Sequence, residues 1–112
     1  MQYKISGKVI KGDGYGKKLG FPTVNLETQM KEFPPAGVYA GEAFLDNVLY
    51  RAGIVIGPNN KVDAHLIGYN GDAYGKEVSL TLNKFLREYK HFKTEKELIK
   101  QIEKDLSLCF QE

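Results

Sequence analysis

The strongest constraint in this sequence is an alternation of apolar and polar residues with a period of two, repeated in separate short stretches. Tyr3, Ile5 and Val9 mark the first, Val48, Tyr50, Ala52, Ile54 and Ile56 another, and Val78, Leu80 and Leu82 a third, opposite Glu77, Ser79 and Thr81. Successive side chains of an extended chain point to opposite faces, so each stretch reads as a strand buried on one side. Val38 to Phe44 and Val62 to Gly68 join them, because β-branched and aromatic residues dominate and turn residues bracket each run. Lys84 to Glu88 supplies a short sixth strand. Asp46-Asn47 and Asn70-Gly71-Asp72 carry residues that accept the positive φ of tight turns.

At the carboxyl end the period changes. Leu98, Ile102 and Leu106, with Ile99 and Cys109 beside them, recur at spacings of three and four and line one face of an amphipathic helix. Thr94 stands three residues before Glu97, the reciprocal capping pattern that satisfies two amides at a helix start, so the helix begins near Glu95. Leu98, Ile102 and Leu106 are assigned to the core. Short antiparallel strands followed by one helix predict a mainly β protein, a small barrel or sandwich with the helix packed on it.

A chain of 112 residues is one domain's material and can bury a core without disulfides. The formal net charge of +2 lacks the basic stripe of a phosphate-backbone binder, so no nucleic acid partner is expected. Cys109 is the single cysteine; it cannot bridge within the chain, which fits a reducing, cytoplasmic setting. The amino end has no basic and apolar leader, and nowhere do 18 apolar residues stand together, so neither secretion nor a membrane association is expected.

Residues 7 to 26 hold five glycines, more than a plain strand connection needs. Glycine permits positive φ and removes the Cβ that blocks close approach, so successive amides can cradle an anion, with Lys17 and Lys18 adding charge; a flexible hairpin is the competing reading. The Walker A order is absent, and no strand–helix crossover follows. In Pro22-Thr23-Val24-Asn25 the alternate positions Thr23 and Asn25 project two neutral oxygens to one side. Such a pair suits Mg²⁺ whose remaining partners are nucleotide phosphates and waters, or else closes a turn by bonding the backbone.

The ordered run Gly12-Asp13-Gly14-Tyr15-Gly16-Lys17-Lys18-Leu19-Gly20-Phe21-Pro22-Thr23-Val24-Asn25-Leu26 resembles the signature of the riboflavin kinase family. Ala36-Gly37-Val38-Tyr39-Ala40, Asp63-Ala64-His65-Leu66, Gly71-Asp72-Ala73-Tyr74-Gly75, and Leu86-Arg87 with Phe92 follow in the family's order, so the likeness covers nearly the whole chain. It implies a six-stranded Greek-key-like barrel with a carboxyl-terminal helix. It also implies transfer of the γ-phosphoryl group of ATP to the 5′-hydroxyl of riboflavin, giving FMN and ADP. By that resemblance Gly12, Gly14, Gly16, Lys17, Gly20, Pro22 and Thr23 cover the nucleotide, and Thr23 and Asn25 hold Mg²⁺. Asp63 is the catalytic base, and Arg87 and Phe92 lie against the flavin ring.

Two features depart from the family. Asp63 stands where a Glu is usual, with a stem one methylene shorter, while a base must come within about 2.6–3.2 Å of its hydroxyl. Ile56-Gly57-Pro58-Asn59-Asn60-Lys61 replaces a longer connection that usually contains a Pro-Thr pair. His65 is read as a hydrogen-bonded structural residue, and Tyr89 and His91 as part of a flap or a solvated linker. Because the chain starts directly at the kinase motif, no adenylyltransferase module is expected in front and FAD synthesis is not expected. The leading expectation is a monomeric, cytoplasmic riboflavin kinase using Mg-ATP. A non-catalytic flavin- or nucleotide-binding module on the same barrel is the alternative, and a small barrel binding single strands through its 7 Tyr and 6 Phe ranks last.

Overall fold

The alternating stretches wrap into a closed barrel. The computed structural model describes residues 3–11, 20–28, 32–69 and 73–110. Its six strands are β1 (Tyr3–Ile10), β2 (Val24–Glu27), β3 (Gly37–Leu45), β4 (Val48–Ile56), β5 (Val62–Leu66) and β6 (Glu77–Arg87), followed by helix α1 (Glu95–Phe110). Around the wall the order is β1-β2-β5-β4-β3-β6, with β6 pairing back onto β1 and every pair antiparallel. Closure gives every strand a neighbour on both sides among the described residues.

The barrel interior takes one residue in two from each strand. Ile5, Leu45, Ile54, Ile56, Val62, Val78, Leu80 and Leu82 are fully buried there; each of the larger aliphatic side chains contributes about 1.5–3 kcal/mol relative to exposure. Tyr39 closes one end: its hydroxyl donates to the Pro35 carbonyl at 2.7 Å, and its ring meets Tyr3 and Phe85 edge-on. Burial pushes the Tyr39 phenol above its usual pKa, with Tyr3 adding to the shift, so it stays a neutral donor.

Two elements differ from the sequence expectation. The sixth strand is β2, and of the expected strand Lys84 to Glu88 the residues up to Arg87 continue β6, while Glu88 lies beyond its end. The register explains the misreading: Ala40 pairs with Lys84 and Gly41 with Leu82, while Val38 pairs with Arg87 and Tyr39 with Phe85. Asn83 and Leu86 are thus extra residues on β6, and each such bulge breaks the alternation that marks a strand. The Asp46-Asn47 turn is as expected, with φ of 51° and 64°, both residues left-handed as a tight hairpin requires. The second expected turn, 70–72, lies outside the described residues.

Helix α1 starts at Glu95, where the Glu97 amide donates to Thr94 Oγ1 at 3.2 Å. Its apolar face packs on the outside of the barrel, over β4 and β3, and not within the core. Leu98, Ile102 and Leu106 are therefore half-buried, a correction to their assignment as core, whereas Cys109 is buried. A Cβ placed on Gly53 of β4 would lie 3.1 Å from Leu106 Cδ2 and 3.7 Å from Cys109 Sγ, so the helix packs closely over the bare backbone there. Replacing Thr94 by Ala should cost about 1 kcal/mol of stability, read as a lower urea midpoint with an unchanged slope. No helix among the described residues is long and apolar enough to cross a membrane.

Candidate functional site

The outer face of the β2–β5 pair carries the polar residues that the sequence singles out. In β5, Val62, Ala64 and Leu66 are buried in the barrel, which turns Asp63 and His65 outward; in β2 the burial of Leu26 turns Asn25 and Glu27 the same way. The register sets Asn25 directly opposite Asp63, which places their Cα atoms on the order of 4.5–5.5 Å apart. Thr23 lies exposed, two residues before Asn25 at the entrance to β2. Oδ1 of Asp63 is shut off from solvent. This neighbourhood gathers onto one patch oxygen donors that lie far apart in sequence, which the strand pairing brings together.

His65 secures the approach to that patch. Its Nδ1 lies 2.6 Å from the Pro22 carbonyl, which can only accept, so the ring donates there and its tautomer follows. The ring also meets Phe21 edge-on, at 6.2 Å between centroids. The hydrogen-bonded structural role expected for His65 is the one it has, and its contacts tie the segment leading to Thr23 onto β5. Gly20, just upstream, has φ of +93°, a conformation open to glycine and strained for other residues.

Beside Asn25 the surface opens into a cleft of about 450 Å³, lined among others by Ile10, Lys11, Phe33, Asn60 and Lys61. Its volume falls in the range of small-molecule sites. One wall is the shortened β4–β5 connection, where Pro58–Asn60 makes a single 3₁₀ turn. Asn59 and Asn60 are left-handed there, and the Gly57 amide bonds the Lys61 carbonyl at 2.8 Å.

A belt of directly paired residues runs from this patch around the barrel: Ile10, Asn25, Asp63, Val55, Val38 and Arg87 face one another strand by strand. Arg87 thus stands three strands from Asp63, about 14 Å along the wall. Its guanidinium lies 5.5 Å from the Phe92 ring centroid and makes an ion pair with Asp105 of α1 at 2.9 Å. The connection after β6 turns back over the end of β4, where Tyr89 comes within 3.6 Å of a Cβ built on Gly57. Arg87 and Phe92 are together; Asn25 and Asp63 are together; Arg87 lies on the same belt as Asn25 and Asp63.

The family model for riboflavin kinase, Flavokinase, matches residues 1–111. This chain belongs to the riboflavin kinase family. The bifunctional riboflavin kinase/FMN adenylyltransferase of Escherichia coli strain K12 is 33% identical over 111 residues, covering 92% of this chain and 36% of that protein. The chain therefore spans about a third of the length of the curated relatives it matches. A crystal structure of riboflavin kinase from Trypanosoma brucei superposes with a TM-score of 0.77 at 19% identity, over 98% of this chain and 76% of that one. A crystal structure of a macrolide-efflux protein from Streptococcus pneumoniae superposes with a TM-score of 0.90 at 24% identity, over 95% of this chain and 38% of that one. At these identities the two structures show the shared fold: a mainly β barrel of the riboflavin kinase kind with a carboxyl-terminal helix.

Within the family signature, Gly12, Gly14, Gly16 and Lys17 lie outside the described residues, while Gly20, Pro22, Thr23 and Asn25 are placed as above. Sequence reasoning missed Asp105, which holds Arg87 from the helix, and Gln101, which donates to Asp105. The signal was available: Asp105 falls three residues after Ile102 and seven after Leu98, an acid in the middle of the apolar stripe. Among the described residues no group of three or more His, Cys, Asp and Glu side chains converges as a metal cluster.

Proposed function

We propose that this chain is a riboflavin kinase that transfers the γ-phosphoryl group of ATP to the 5′-hydroxyl of riboflavin, giving FMN and ADP, as a monomer in the cytoplasm. The observation that carries the reading is the direct opposition of Asn25, which lines the 450 Å³ cleft, and Asp63, in a chain of this family. In this reading the cleft and the glycine-rich run of sequence from Gly12 to Gly20 take the nucleotide, with Lys17 and Pro22 beside the phosphates. Asp63 accepts the proton of the 5′-hydroxyl as its oxygen bonds to the γ-phosphorus; the bond from that phosphorus to the β,γ-bridging oxygen breaks, and ADP leaves. The proton passes from Asp63 to solvent. Arg87 and Phe92 bound the flavin ring, and the belt between them and Asp63 is the path of the ribityl chain.

The donor set supports a divalent cation. Thr23 and Asn25 offer neutral oxygens of the kind hard cations take, next to a site for phosphates that supply the charge. Mg²⁺ bound there would neutralise charge spread over the transferring phosphoryl group, the main electrostatic demand of this chemistry. Asn25→Ala should weaken metal-dependent turnover by about 10–100-fold with little change in melting temperature, since Asn25 faces outward. A magnesium titration of initial rate checks it, and an unchanged half-saturation removes Asn25 from the metal site.

The reading as a whole is tested by incubating purified protein with riboflavin, Mg-ATP and the full chain's own conditions, and following FMN and ADP. Equal amounts of both products are expected. Quenching of riboflavin fluorescence with no FMN at high protein concentration sinks the kinase reading and leaves a binding module.

A further inference from the structure

We propose that Asp105 is a positioning residue for flavin recognition, acting through Arg87; this rests on the proposed contact of Arg87 with the flavin ring. Asp105 is the buried charged residue of the described chain, 6% exposed, and it sits on a helix, away from the patch around Asp63. Its carboxylate accepts from Arg87 Nε at 3.1 and 3.2 Å and from Nη2 at 2.9 Å, a side-on pair that defines the guanidinium plane. Gln101 Nε2 donates to Oδ1 at 2.9 Å from the preceding turn and fixes the carboxylate in its own turn. Arg87 Nη1 donates to the Glu88 carbonyl at 3.2 Å. All three guanidinium nitrogens are engaged within the protein, so the group cannot pivot.

A fixed guanidinium acts on a ligand mainly through its plane. Phe92 lies along Arg87, and Lys90 Nζ is 5.4 Å from the same ring, so the connection after β6 builds a layered wall of cation and aromatic. Such a wall offers a flat stacking surface to a planar heteroaromatic ring. Lysine at position 87 cannot reproduce it, because an ammonium has neither the plane nor the side-on pairing. The helix also meets the barrel away from the ion pair, where Leu106 and Cys109 lie over Gly53. Burying two charges is moreover a weak route to stability, and matched apolar replacements of such pairs are often neutral. A purely structural pair should therefore be replaceable, and a positioning pair should not.

The experiment compares wild type, Asp105→Asn, Arg87→Lys and the double variant Arg87→Met/Asp105→Leu by melting temperature, by riboflavin fluorescence quenching, and by KM for riboflavin and for Mg-ATP. The double variant is expected to melt close to wild type and keep its KM for Mg-ATP, while riboflavin binding weakens about tenfold, the size of one stacking contact. Asp105→Asn and Arg87→Lys are expected to raise the riboflavin KM alone. Recovery of riboflavin affinity in the double variant, or equal shifts in both KM values for Asp105→Asn, would overturn the proposal and leave a structural strut. Should the double variant fail to fold, the single variants read the same split. A wild type that quenches riboflavin but forms no FMN sinks the kinase reading, and the quenching titrations then decide the role of Asp105 by themselves.

Discussion

Asp63→Asn is expected to cut FMN formation by roughly 10²–10⁴-fold, the contribution of a positioned general base, while riboflavin and Mg-ATP still bind. The substitution keeps the size and outward direction of the side chain. The strand register that sets position 63 against Asn25 and Val55 is made by backbone pairing and does not depend on it. What is lost is a carboxylate able to take a proton, because a carboxamide has no comparable basicity. Asp63→Glu restores the residue usual in the family and lengthens the reach by one methylene. It should turn over at least as fast as wild type if the shorter stem is a handicap, and more slowly if the cleft and the shortened 3₁₀ turn have adapted to aspartate. Single-turnover rates with saturating substrates separate these outcomes. Near-normal FMN production by Asp63→Asn would remove this carboxylate from the reaction.

The parts of this molecule that were legible in the sequence are those decided by neighbours close along the chain. Tyr3, Ile5 and Val9 on β1, or Ala52, Ile54 and Ile56 on β4, alternate over enough residues for a period of two to stand out. The Thr94 cap is written within four residues of its helix. In contrast β2 spans only Val24–Glu27, too short to display a period, and β6 carries the extra residues Asn83 and Leu86, which hide its continuity. Tertiary pairing stabilises both strands, and pairing leaves no local trace.

The candidate site divides in the same way. Thr23, Asn25 and Asp63 were found through an ordered motif, yet that Asn25 and Asp63 face each other depends on β2 pairing with β5, across the intervening hairpin of β3 and β4. Arg87 was found and its partner was not. A helix at the far end of the chain supplies Asp105, and an acid within an apolar stripe has meaning only once the cation it meets is known.

The largest effect on stability is expected from Gly41→Ala in β3. A Cβ there would stand 1.9 Å from the Thr81 carbonyl oxygen of β6 and 3.1 Å from Ile54 Cδ1. The first of these is backbone, fixed by the β3–β6 ladder on both sides, so the strands must part to admit a methyl group. Overpacking of this kind costs about 3 kcal/mol or more where the neighbour cannot yield, which for a domain of this size lowers the melting temperature by more than about 10 °C. Gly53→Ala is the control. Its Cβ meets the flexible end of Leu106 at 3.1 Å, so a small rotation of that side chain relieves it, and a loss well below that of Gly41→Ala is expected. Equal, small losses in both variants would mean that the barrel wall yields as easily as a helix side chain. The consequence reaches the site, because Gly41 adjoins the first of the two bulges by which β6 brings Arg87 opposite Val38 and onto the belt that leads to Asp63. Parting β3 from β6 loosens that register. Riboflavin affinity in Gly41→Ala should therefore fall even at temperatures where the barrel is still folded, and Mg-ATP affinity, which the proposed site sets on the far side at β2 and β5, should fall less.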